Sequence, residues 1–139
     1  MDYFVKHNLK AKFYIRYVDD FVILHFSKKQ LEIWKDKIND LLTKELRIKL
    51  HPDKSRVIFL KRGVDFVGFR NFYRHKLLRK RNVKNMERKI KFYEEGKRNF
   101  EDIFESFKGW EAYAKWGENH KITNSLKKEI IEILWEKVN

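Results

Sequence analysis

Cysteine is absent from the chain, which excludes a disulfide scaffold, thiol catalysis and cysteine-ligated zinc. Proline occurs once, at Pro52, and the five glycines are scattered, so no linker, repeat or low-complexity segment is visible. No apolar run approaches the ~18 residues that span a bilayer, and the N-terminus lacks the apolar stretch of a secretory signal. The expectation is a cytoplasmic protein with no membrane contact. Acidic residues are also in short supply: 20 Asp and Glu stand against 33 Lys and Arg, leaving a formal charge of +13. Such a surplus points to a polyanionic partner, with nucleic acid ahead of an anionic membrane, although a merely basic surface remains the plain alternative. At 139 residues the chain is one domain, or a small domain with an appendage.

What is present changes character at about residue 82, from β-branched and aromatic residues to helical periodicity. Residues 13–16 and 21–26 read as strands joined by a tight turn at Tyr17-Val18-Asp19-Asp20. Ser27 and Gln30 form a capping box ahead of a helix to about Leu46, with Leu31, Trp34, Ile38, Leu41 and Leu42 at helical spacing. A short extended piece at 47–50 is turned by His51-Pro52-Asp53-Lys54, since Pro fixes its own φ and restricts the residue before it. Residues 56–60 and 64–69 read as a hairpin about Arg62-Gly63. Three helices follow, capped by Asn82, Asn99 and Thr123. The expected class is α+β: an antiparallel sheet with one inserted helix over residues 1–81, then a helical bundle over 82–139.

The most apolar passage, FYIRYVDDFVILHF at 13–26, sets two aspartates side by side at its bend. Adjacent carboxylates repel, and a hard divalent cation with oxygen ligands relieves that repulsion. In two-metal phosphoryl transfer, ions ~3.5–4 Å apart clamp the attacking and leaving oxygens through shared carboxylates. The bland alternative is that Asp simply favours turns.

The flanking residues give the pair a context. YVDD between two apolar strands resembles the polymerase motif of reverse transcriptases, and RYVDDFVIL is close to the form in group II intron, retron and diversity-generating-retroelement enzymes. The order that follows is similar too: an amphipathic helix, IKLHPDKS with its lysine-bearing turn, GVDFVGFR, and three helices. HPDKS, GVDFVGF and LLRKRNV look most like the diversity-generating-retroelement group. The resemblance covers nearly the whole chain and implies an RNA-directed DNA polymerase using Mg²⁺ (or Mn²⁺), an RNA template, a DNA primer and dNTPs. It implies that residues 1–81 are the C-terminal part of a palm and residues 82–139 a helical thumb.

By that resemblance Asp19 is the principal metal ligand and Asp20 its neighbour, with Val18 against the primer end and Tyr17 beneath it. Lys54 stands where the family places a lysine thought to protonate pyrophosphate; a solvated turn lysine is the alternative. Phe66, Val67, Gly68 and Phe69 resemble the primer grip, with core packing an additional role for the first two. Independently of any family, ten basic residues face only Glu87 across residues 70–91, a local charge of +9. Arg70, Arg74, Arg79, Lys80, Arg81, Lys84 and Arg88, with aromatics beside them, suit phosphate contact and base stacking. A solvated helix face is the competing explanation. The aromatics Phe104, Phe107, Trp110 and Tyr113 recur at helical spacing and read mainly as core.

The family also needs an earlier strand with a third metal-binding aspartate, and fingers for the nucleotide. Residues 1–10 look instead like the end of the helix that leads into the hairpin, and Asp2 on it is a poor substitute. Three possibilities follow: a palm and thumb active with a separate N-terminal polypeptide, a non-catalytic nucleic-acid-binding module, or a truncated remnant.

Overall fold

The computed structural model describes Met1–Asn139 and is α+β. It divides into two compact units, Met1–Phe59 and Leu60–Asn139. The division precedes the change in sequence character near residue 82, so the second group of strands is grouped with the helices.

In the first unit a helical turn, Phe4–Asn8, leads into β1 (Phe13–Tyr17) and β2 (Asp20–Leu24), and α1 (Lys28–Leu46) follows. The strands pair antiparallel from Phe13 opposite Leu24 to Tyr17 opposite Asp20. Successive residues point to opposite faces. One face therefore presents Tyr14, Phe21 and Ile23, which pack with Val5, Leu9, Ala11, Trp34, Ile38 and Leu42. Trp34, Ile38 and Leu42 recur every four residues, so one side of α1 closes that core. Ser27 caps α1 by accepting from the Gln30 N–H at 3.2 Å. The expected return arm from Gln30 is replaced, because the Ser27 N–H donates to His25 Nδ1 at 3.1 Å.

The extended piece expected at 47–50 does not form a strand. Arg47 ends α1 in the left-handed region at φ +56°, which turns the chain, and the Leu50 N–H is taken by Asn39 Oδ1 at 3.1 Å. With its N–H satisfied by a side chain, this segment has no call for a ladder partner. The turn at 51–54 forms as expected, with the Ser55 N–H donating to the His51 carbonyl at 2.9 Å.

The second unit holds β3 (Val64–Phe66), β4 (Phe69–Asn71) and β5 (Lys76–Leu78) in that order, all antiparallel. The hairpin expected about Arg62-Gly63 is therefore displaced. Leu60–Arg62 is a 3-10 turn ending at Gly63 (φ +77°), residues 56–59 form no strand, and the hairpin turns at Val67-Gly68. Both turn residues have positive φ, +46° and +76°, the pattern of the type I′ turn whose twist matches its strands. The sheets are thus two, of two and three strands, rather than one continuous palm-type sheet.

Three helices complete this unit: α2 (Lys80–Glu94), α3 (Phe100–Ala114) and α4 (His120–Val138). Met86, Ile90, Tyr93, Ile103, Phe107, Leu126, Ile130 and Ile133 form their shared core with Trp110 packed against it, so the core reading holds for Phe107 and Trp110 but not for the exposed Phe104 and Tyr113. Asn99 caps α3 as expected, accepting from the Asp102 N–H at 2.8 Å. The other two caps are corrected. The helices α2 and α4 begin three and four residues earlier than read, at Lys80 and His120, which places Asn82 and Thr123 inside the helices. Asn82 instead donates to the Gly68 carbonyl at 3.2 Å, and Thr123 is buried.

Candidate nucleic-acid interface and carboxylate hairpin

The first unit carries Tyr17, Val18, Asp19, Asp20 and Lys54. Tyr17 closes β1, Asp20 opens β2, and the loop between them is only Val18 and Asp19. Val18 has φ +52°, a conformation that a β-branched residue rarely adopts and that costs of order 1–3 kcal/mol. Its side chain is 70% exposed, so burial does not compensate this strain. Both aspartates are exposed at this tip.

As donors the pair suits a hard cation such as Mg²⁺ or Mn²⁺, but no third Asp, Glu, His or Cys gathers with them. A hard dication takes six or more oxygens, so the chain supplies the right chemistry in too small a number. Asp2 is committed elsewhere, accepting from the Tyr14 hydroxyl at 2.5 Å and pairing with Arg16 at 3.2 Å. That hydrogen bond first, and Arg16 after it, hold the Asp2 carboxyl below its usual range, while burial and Asp2 push Tyr14 up to about 12. Lys54 lies exposed in the turn that follows α1.

The second unit carries the remaining candidates. The Val67-Gly68 turn is held from three sides. The Tyr113 hydroxyl donates to the Val67 carbonyl at 2.9 Å, and Asn82 and the Arg79 N–H both donate to the Gly68 carbonyl at 3.2 Å. A Cβ at Gly68 would run into the Tyr113 hydroxyl. Val67 remains exposed beyond these bonds, whereas Phe69 is buried with its ring 4.8 Å from that of Tyr113. Phe66 is half-buried.

At roughly 100° per residue, Lys80, Arg81, Lys84 and Arg88 share one side of α2, and Met86, Ile90 and Tyr93 face the core. Asp65 engages two of the predicted contacts, Arg70 at 2.9 Å and Arg79 at 3.5 Å. Arg74 lies apart from this row, on the loop between β4 and β5. The N-terminus of α2 has Arg79 as its cap residue with no side-chain cap, and no acid in its first turn. A helix N-terminus carries partial positive charge, so Lys80 and Arg81 are placed where intrinsic stability favours acids. At α3 the same position shows the stabilising arrangement, with Asn99 capping and Glu101 and Asp102 following. Such a basic, uncapped end is suited to a phosphate ligand.

Tyr113 and Asn82 were not legible as contributors. Tyr113 follows the periodicity of core aromatics, and only its hydroxyl distinguishes its role. No protein-family model matches the chain, and no curated protein matches it.

Proposed function

We propose that this chain is the hairpin-bearing palm portion and the thumb of an RNA-directed DNA polymerase related to reverse transcriptases. The observation that carries the reading is the YVDD hairpin: Asp19 in the two-residue loop and Asp20 at the start of β2 stand exposed beside a backbone strained at Val18. Strain of this kind clusters at functional sites, and a turn selected for stability alone would favour Asn or Gly there. The basic side of α2 and the pinned Val67-Gly68 turn support a template-primer surface, with Phe66, Val67 and Gly68 near the primer backbone. Phosphate contacts carry little sequence information, which suits an enzyme that copies any template.

In the complete enzyme Asp19 and Asp20 would contribute carboxylates to Mg²⁺, which neutralises charge on the reacting phosphate. The further ligand and the nucleotide-binding fingers would be supplied from outside residues 1–139. Lys54 would lie near the departing pyrophosphate. Primer extension on an RNA template with Mg²⁺ and dNTPs tests this, using the chain with and without the polypeptide encoded immediately upstream. Extension that requires the partner and is lost in Asp19→Ala and Asp20→Ala supports it; extension surviving both substitutions would overturn it.

The two-carboxylate count favours a second reading, a nucleic-acid-binding module without catalysis. It expects duplex binding without extension under any pairing. Neutralising Lys80, Lys84 and Arg88 should then flatten the salt dependence by roughly 0.7–0.9 log units per lost contact.

A further inference from the structure

A cleft of about 530 Å³ opens on the second unit, between the loop at 72–75 and the connection at 115–119 from α3 to α4. Its walls are fastened to each other. The Glu118 N–H donates to the Lys76 carbonyl at 2.8 Å, and within the first wall the Phe72 N–H closes the loop on the His75 carbonyl at 2.8 Å. Behind them the buried Asn119 accepts from the Leu78 N–H at 2.8 Å and donates to the Ala114 carbonyl at 2.9 Å. Gly117 is required between the walls, because a Cβ there would lie 2.7 Å from both the Lys76 carbonyl and Asn119 Nδ2. The cleft is therefore shaped before any ligand arrives.

Its lining combines a flat aromatic surface with positive charge. Trp116 is 72% exposed, an unusual position for so large an apolar ring. Phe72 and His75 stack at 4.5 Å on the opposite wall. Arg74 and Lys115 enter no ion pair, and Glu118 is the only acid on the lining. An exposed ring between unpaired cations matches a base with its phosphates, and it is ill suited to an uncharged apolar ligand. The cleft is open to solvent, which suits a continuing strand.

We propose that this cleft holds an unpaired nucleotide of a single-stranded nucleic acid, its base stacked on Trp116 and its phosphates on Arg74 and Lys115. The site is separate from the basic side of α2, and it rests on the proposed function only in taking nucleic acid as the ligand class.

The test is fluorescence anisotropy with the full chain and two labelled probes, a blunt RNA–DNA duplex and the same duplex with a single-stranded overhang of about eight nucleotides. Wild type should bind the overhang probe more tightly. Trp116→Ala should lose roughly 5- to 100-fold on that probe and nothing on the blunt one, with Trp116→Phe recovering most of the loss. Equal losses on both probes, or none, would overturn the cleft while leaving the α2 surface intact. A wild type that ignores the blunt duplex yet shows Trp116-dependent overhang binding would overturn the proposed function and support the cleft. Binding to neither probe overturns both. Should Trp116→Ala fail to fold, the double variant Arg74→Gln with Lys115→Gln decides. It should weaken overhang binding and flatten its salt dependence by about 0.7 log units per contact, and an unchanged slope would count against the site.

Discussion

In the first hairpin Val18 holds φ +52° with no hydrogen bond from outside the strands reaching it or Asp19. In the second, Val67 at φ +46° is gripped through its carbonyl by Tyr113, and Gly68 by Asn82 and Arg79. The two share a two-residue loop and a strained valine, yet they are anchored at opposite ends. The first is fixed along its inner face by Tyr14, Phe21 and Ile23, which leaves the tip bare. The second is fixed at the tip itself. A bare tip leaves carboxylate oxygens open to a cation and substrate, whereas a pinned tip presents rigid backbone. Under the proposed function, the difference would separate a place for chemistry from a place for positioning.

The largest effect expected is on the bare tip. Asp19→Asn or Asp20→Asn in the reconstituted enzyme should lower primer extension by ~10³-fold or more, since several kcal/mol of charge stabilisation are lost. The unfolding midpoint should not move, because both side chains are exposed. A variant that unfolds as readily as it loses activity would mean that the tip is structural and erase the contrast.

At the pinned tip the expectation reverses. Gly68→Val places a β-branched residue at φ +76° with its Cβ on the Tyr113 hydroxyl, costing about 2–4 kcal/mol in strain and overpacking. Urea denaturation of the full chain reads this directly, and an unchanged midpoint would show that the clamp is not closed in solution. Tyr113→Phe is milder. It keeps the ring beside Phe69 and removes only the bond to Val67, a loss of about 0.5–1.5 kcal/mol. If primer-template affinity falls with it, the bond positions the turn; if only stability falls, the clamp is structural.

Much of the first unit could be read in advance because its signals are local. The strand pattern, the Ser27 cap and the apolar row on α1 each lie within a few residues. The misread features are those settled by distant partners. Val67-Gly68 lacks the Asn-Gly signature of a type I′ turn, and its strain is held by Tyr113, 46 positions along the chain. Arg62-Gly63 looked the better turn, and its glycine serves a different need: a Cβ there would strike Arg70 and Phe72. The caps expected at Asn82 and Thr123 are displaced because neither true start carries a capping side chain: Arg79 precedes α2, and at α4 Asn119 commits its side-chain amide to Leu78 and Ala114. Lys80 and Arg81 begin α2 against the helix dipole, so a stability rule could not find that helix start. β5 escaped notice at three residues, too short for alternation to show. The candidate residues could be named from the sequence, and so could a division of the chain, but its boundary falls between Phe59 and Leu60 rather than after residue 81.

A smaller effect should follow from relieving the strain at both tips. Val18→Asn and Val67→Asn replace a β-branched residue by one that tolerates positive φ, and each should stabilise the chain by roughly 0.5–1.5 kcal/mol. The functional consequences should differ. At the bare tip, Asn at position 18 alters the surface beside the carboxylates and should change extension more than duplex affinity. At the pinned tip, the same change should act on affinity. Identical effects at both would dissolve the distinction between the hairpins.

The smallest effect concerns how the first hairpin is anchored at its face. Asp2 is held below 3.8, so the stabilisation it provides is present above that ordinary value and lost as pH falls through its folded value. Tyr14 is raised from 10.0 to about 12, so its stabilisation is complete below pH 10 and lost as pH rises toward 12. The bond between them therefore contributes across a plateau from about pH 4 to about pH 10. Tyr14→Phe removes it and should lower the urea midpoint by a constant amount on that plateau. The two proteins should converge on both flanks, which separates this bond from the general repulsion of a +13 chain, common to both. Ultraviolet titration at the tyrosinate band should show a late-ionising tyrosine in wild type that is missing from the variant, while Tyr113, which burial also raises, stays in both. A midpoint that Tyr14→Phe left unchanged at every pH would mean that Tyr14 acts by packing alone, and that the free tip of this hairpin is steadied by apolar contact without the Asp2 bond.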